Sequence, residues 1–154
     1  MIERVVSGGQ TGVDRAALDV AIAHGIPCGG WCPKGRLAED GRIPRTYPLR
    51  ETPNAVYEER TEFNVRDSDG TLILAWGALA GGTEFTAAMA RVHDKPCLVI
   101  DLTQGGDPEE GAAWIACHQV KVLNVAGPRA SRDPAVYPRA RDFLEQLLAP
   151  PGGQ

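Results

Sequence analysis

A chain of 154 residues with a net charge of −4 and ordinary hydrophobic content is sized for one domain with its own core. Its acidic balance argues against nucleic acid as a partner, and no apolar run is long enough to span a membrane. The N-terminus runs directly into strand-like residues, so a cytoplasmic location is expected, and four cysteines without zinc-finger spacing (Cys28, Cys32, Cys97, Cys117) give neither a disulfide framework nor a metal site.

The first element is a short apolar strand at Val5-Val6. The stretch Ser7-Gly8-Gly9-Gln10-Thr11-Gly12-Val13-Asp14-Arg15 follows, and then an amphipathic run to His24 with Ala17, Leu18, Ala21 and Ile22 on one face. Strand, glycine loop and helix in that order aim free N–H groups and the positive end of a helix dipole at one small cavity, which suits a phosphate or another oxyanion. The alternative is a tight βα turn with Thr11 as N-cap and Asp14 completing a capping box. The loop reads G-G-x-x-G rather than G-x-G-x-x-G, and Gly12 is followed by Val-Asp rather than Lys-Ser/Thr. It is therefore neither a standard dinucleotide fingerprint nor a P-loop.

A short second strand, Ile26 to Gly29, leads into a long aperiodic segment, residues 30–54, with Trp31, Ile43 and Tyr47 as anchors. Between Lys34 and Arg45 it carries four cations (Lys34, Arg36, Arg42, Arg45) against two acids (Glu39, Asp40). A loop of that length in a compact domain is usually functional. Thr52-Pro53 reads as the N-cap and first residue of a helix to about Arg66 that carries Arg60, Thr61 and Asn64.

The run from Thr71 to Trp76 is apolar and bounded by turns, as in a buried parallel strand. After it, Gly81-Gly82 forms a second glycine turn, with Thr83 as cap of a helix from Glu84 to Val92. Cys97 to Asp101 reads as a fourth strand, Asp107-Pro108 as the capped start of a helix to about His118, and Lys121 to Val125 as a fifth strand. Gly127 to Arg132 follows that strand. A last helix, beginning near Asp133 or Pro138, carries Ala140, Phe143, Leu144 and Leu147, and residues 150–154 are expected to fray.

The alternation predicts an α/β fold: a parallel sheet of about five strands with helices on both faces, in a single domain over residues 1–149. Ligands of such sheets lie beyond the carboxyl ends of the strands, where each glycine loop falls. The rim then offers backbone amides, cations (Arg15, Lys34, Arg36, Arg129, Arg132), hydroxyls (Thr11, Thr83) and side-chain amides (Gln10, Asn64) to a polyanionic ligand. Catalytic groups are scarce. Glu84 is the one candidate general acid or base, against its plainer role as a first-turn helix acid.

Four blocks together resemble the molybdenum cofactor carrier family: residues 7–19 (SGGQTGVDRAALD), 29–36 (GGWCPKGR), 60–71 (RTEFNVRDSDGT) and 81–83 (GGT), in that order over nearly the whole chain. The resemblance implies a three-layer Rossmann-like fold related to the DprA proteins and the lonely-guy phosphoribohydrolases. It also implies homo-oligomers, and binding of the molybdenum cofactor (molybdopterin), a pyranopterin dithiolene with a terminal phosphate. Molybdoenzymes and cofactor-biosynthesis proteins are then candidate protein partners. On this reading Gly8, Gly9, Gln10, Thr11, Gly12 and Arg15 hold an anionic group. Lys34 and Arg36 clamp it from the long loop, Gly81, Gly82 and Thr83 line the other wall, and Gly35, Asn64 and Arg129 complete the binding set; no residue ligates the metal. The rival readings are a nucleotide-processing enzyme that hydrolyses an N-glycosidic bond, or a nucleotide sensor. The phosphoribohydrolase pattern Pro-Gly-Gly-x-Gly-Thr-x-x-Glu is broken here, with Thr86 at its glutamate position.

Overall fold

The structure, a computed structural model, describes residues 1–150, so Pro151 to Gln154 of the expected frayed tail lie outside the described residues. Strand β1 (Arg4–Val6) enters α1 (Val13–Ala23) through the first glycine loop. β2 (Cys28–Gly29) opens the long segment, which contains four two-residue strands: β3 (Trp31–Cys32), β4 (Leu37–Ala38), β5 (Gly41–Arg42) and β6 (Arg50–Glu51). Then come α2 (Tyr57–Arg66), β7 (Gly70–Ala75), α3 (Gly81–Val92), β8 (Cys97–Asp101), α4 (Pro108–His118), β9 (Val122–Ala126) and α5 (Val136–Leu148). Among the described residues no helix is long and apolar enough to cross a membrane.

The main sheet has five parallel strands in the order β2-β1-β9-β7-β8. The last strand of the chain thus lies at its centre, hydrogen-bonded to β1 on one side and β7 on the other. Moving β9 from the end of the chain to its beginning would turn this into the order 3-2-1-4-5 of the doubly wound fold. The fold is that arrangement with its first strand transferred to the C-terminus.

Alternation within the central strands sorts the core into two layers. Leu72 and Leu74 of β7, with Leu123 and Val125 of β9, pack against α1 and α5 through Val13, Ala17, Val20, Ala140, Phe143 and Leu144. Ile73 and Ala75 point the other way, toward Ala87 of α3. All six β7 residues are buried, and burying a Leu or Ile side chain contributes about 1.5–3 kcal/mol. The long segment has a small core of its own, in which Leu18, Cys32, Ile43 and Leu49 meet.

The starts of three helices and the cap of a fourth differ from the sequence expectation. α1 has Gly12, at φ 84°, as its N-cap with no side-chain cap, because the Thr11 hydroxyl is turned to Glu39 and to the Ala130 amide. α2 begins at Tyr57, since Thr52 gives its amide to Cys32 (2.8 Å) and its hydroxyl to the Asn54 carbonyl (2.8 Å), which ties it to the loop. α3 begins at Gly81, so Thr83 lies inside the first turn, where its hydroxyl donates to the Ala80 carbonyl at 2.8 Å. α5 begins at Val136, between the two positions considered, after an Asp133 carboxylate that accepts from the Ala135 amide at 2.8 Å.

Candidate functional site

A cleft of about 360 Å³ opens where the carboxyl ends of β9 and β7 diverge. In the unpermuted order this is the switch point at which doubly wound sheets take their ligands, and the volume is that of a small-molecule site. Gly8, Gln10 and Asp14 come from the loop after β1 and the first turn of α1. Arg60, Thr61 and Asn64 come from α2; Gly81, Gly82, Thr83 and Thr86 from the start of α3; and Asn124, Gly127, Arg129, Ser131 and Arg132 from β9 and the turn beyond it.

Two loops interlock beneath the cleft. A Cβ on Gly12 would stand 2.4 Å from the Pro128 carbonyl oxygen and 2.7 Å from the Ala130 nitrogen, so only glycine lets the two backbones pass, and its positive φ makes the same demand. The Thr11 hydroxyl, the Ser131 amide and hydroxyl, and the Glu39 carboxylate then join both loops to the β4–β5 hairpin.

Of the residues expected to bind, the structure brings Gly8, Gln10, Asn64, Gly81, Gly82, Thr83 and Arg129 to the cleft. Asn64 spends both ends of its amide on the backbone of Trp31 (2.8 and 3.0 Å), which fixes β3 against α2. Gly9 faces Leu49 and Ile43 instead of the cleft. The expected cationic clamp is elsewhere. Arg15 makes a bidentate pair with Asp40 (2.6 and 2.8 Å) and donates to the Gly9 carbonyl, lashing the hairpin to the glycine loop. Arg36 is buried and donates to the carbonyls of Ile43, Pro44, Leu49 and Tyr47, so its charge organises the long segment from within. Lys34 and Gly35 are exposed and line no part of the cleft. Glu84 is exposed in the first turn of α3 and is likewise absent from the lining.

The positive charge at the cleft comes instead from Arg60, Arg129 and Arg132. The Tyr57 ring supports two of them, with the Arg60 guanidinium 5.3 Å and the Arg129 guanidinium 5.7 Å from its centroid. Arg132 donates to the Trp76 carbonyl at 3.3 Å, bridging the turns after β9 and β7. Arg60 had a sequence signal, since it opens one of the four blocks. Tyr57 and Asn124 had none, because their relevance depends on which strands are neighbours. Asn124 is buried in the central strand and donates to the Thr71 hydroxyl at 3.1 Å.

Asp14 is the buried charge of the site. Its Oδ2 accepts from the Gln10 amide at 3.2 Å and lies 3.4 Å from Nη1 of Arg60. Burial pushes its carboxyl up to about 6, against the opposing pull of Arg60, the Gln10 amide and Arg15. A second cavity, of about 740 Å³, lies at the opposite, amino-terminal edge of the sheet and is lined largely by apolar residues, among them Ile2, Ile26, Ile115 and Leu147. It offers an anion far fewer donors than the cleft does.

Fold and cleft together define a doubly wound α/β domain whose sheet is circularly permuted. The model of the circularly permutated YpsA SLOG family matches residues 5–148, and the chain belongs to that family. It is similar to a crystal structure from Syntrophus aciditrophicus SB that bears the name "Putative molybdenum carrier protein", at 54% identity over 96% of each chain with a TM-score of 0.91. A structure of (E)-4-hydroxy-3-methyl-but-2-enyl diphosphate reductase aligns at 14% identity over 94% of this chain and 59% of that one, with a TM-score of 0.41 that carries no argument. No curated protein matches.

Proposed function

We propose that this protein is a carrier that holds the molybdenum cofactor in the cleft between β9 and β7. The observation behind this reading is the character of the lining: backbone amides of a glycine turn and three guanidinium groups around a space of small-molecule size. The terminal phosphate would lie toward Gly81, Gly82, Thr83 and Arg129, where the N-terminus of α3 and an exposed arginine braced by Tyr57 favour an anion. The pterin would reach inward toward Gln10 and Asp14. The kinship with a protein named for molybdenum carriage at 54% identity supports the same cargo. Nucleotide hydrolysis gains no support, because Glu84 stands outside the lining.

The test is an anaerobic titration of ligand-free protein with molybdenum cofactor released from a molybdoenzyme, followed by gel filtration and pterin quantification. The carrier reading predicts co-elution in stoichiometric amount, and loss of most of it in Arg129→Glu. Cofactor that elutes entirely free of the wild-type protein would refute it.

A further inference from the structure

Gln10 is 4% exposed, and its side chain is fixed at one end only. The amides of Thr11 (3.0 Å) and Glu39 (2.9 Å) both donate to the same terminal atom, which must therefore be the oxygen Oε1. The other end, Nε2, is buried and has no hydrogen-bond partner, and it is the one such buried side-chain atom among the described residues. A buried donor left unmet costs about 1–3 kcal/mol, and Gln10 forms part of the cleft wall. Next to it is Asp14, 6% exposed, which also lines the cleft. Its Oδ2 takes the Gln10 amide and Arg60, and the Gly8 backbone amide also bonds the carboxylate.

We infer that Gln10 and Asp14 form a subsite for the 2-amino-4-oxo edge of a bicyclic heterocycle, with Gln10 Nε2 donating to the ring carbonyl and the Asp14 carboxylate accepting from the ring N–H and the amino group. The assignment rests on the carrier reading and fixes the direction in which the cargo enters. A carboxylate has only acceptors and an unmet amide nitrogen only donors. An amino–lactam edge presents the complementary row of two donors and one acceptor. An edge with a second carbonyl in place of the amino group would set oxygen against Asp14 and lose a hydrogen bond to a charged group.

The experiment uses the intact protein and two free heterocycles with the same bicycle, pterin (2-amino-4-oxo) and lumazine (2,4-dioxo), titrated at pH 7.5 by their own fluorescence. Pterin should bind about tenfold or more tighter than lumazine. Asp14→Asn should reduce that preference to within about twofold. Gln10→Glu, whose carboxylate keeps the acceptor for Thr11 and Glu39 but removes the donor, should weaken both ligands about tenfold. Equal affinity for the two heterocycles, no binding of either, or full preference in Asp14→Asn would overturn the subsite; the first two readings need no variant to fold. Wild-type retention of the complete cofactor by both variants would also overturn it while leaving the carrier reading intact. Selection of pterin by a protein that does not retain the complete cofactor would refute the carrier reading and leave the subsite standing.

Discussion

The guanidinium of Arg60 crosses the backbone of Gly8 to come within 3.4 Å of Asp14 Oδ2, so closely that a Cβ on Gly8 would stand 2.1 Å from Nη1. Arg60 also donates to the Gly8 carbonyl at 3.2 Å. The glycine after β1 is thus required less by a phosphate than by an arginine from α2. Gly8→Ala should cost stability, because the displaced guanidinium is the partner of the buried Asp14 carboxylate, and should lower cofactor affinity about as much as Arg60→Ala does. A double-mutant cycle by titration checks this: the two losses should be strongly non-additive, and additive losses would mean that Gly8 acts independently of Arg60.

A Cβ on Gly12 would meet the backbone of residues 128–130, which cannot yield cheaply. Gly12→Ala should cost about 3 kcal/mol or more, by strain at a positive φ and by separating the loops after β1 and β9. Chemical denaturation gives the value; a loss below about 1 kcal/mol would show that the loops can part without penalty.

Arg36 should behave as a residue of the fold. Its replacement by Met leaves four carbonyls without their shared donor and should cost about 3 kcal/mol, with Arg36→Lys restoring little because an ammonium cannot reproduce the fork. Cofactor affinity per folded molecule should stay close to wild type. A large loss of affinity with stability intact would return Arg36 to the cargo.

Asp14 gives the protein a pH signature. Its folded carboxyl is raised to about 6 from 3.8, so the folded state holds the proton more tightly than the unfolded chain. Its contribution to stability is greatest below about pH 4 and is lost as the pH rises to about 6. The charged groups that act on it are Arg60 of α2 and Arg15 of its own helix. The stability of Asp14→Asn relative to wild type should therefore grow between pH 4 and 6, by on the order of 2 kcal/mol, and then level off. Pterin affinity should fall below about pH 6, where the protonated carboxyl no longer accepts twice. A flat difference across that range would contradict both statements.

Local chemistry made much of this legible in the sequence. The apolar runs of β7 and β8 and the Asp107-Pro108 start of α4 appear where their residue patterns place them. The place of β9 between β1 and β7 was not legible, because parallel pairing leaves no mark on either partner's own sequence. The cleft's composition depends on that pairing. For the same reason the tasks of the cations are not legible locally: nothing in the sequence distinguishes an arginine that lines the cleft from Arg36, which meets four carbonyls of its own loop. Gln10 was a rim amide in the sequence, and only the fold shows that one of its two ends is without a partner.

Hydrogen exchange with and without bound cofactor locates the cargo without a variant. Slowed exchange is expected in residues 8–14, 80–86 and 124–132, the segments that meet at the cleft. Protection confined to the opposite edge, around Ile26, Ile115 and Leu147, would place the ligand in the apolar cavity and contradict that expectation.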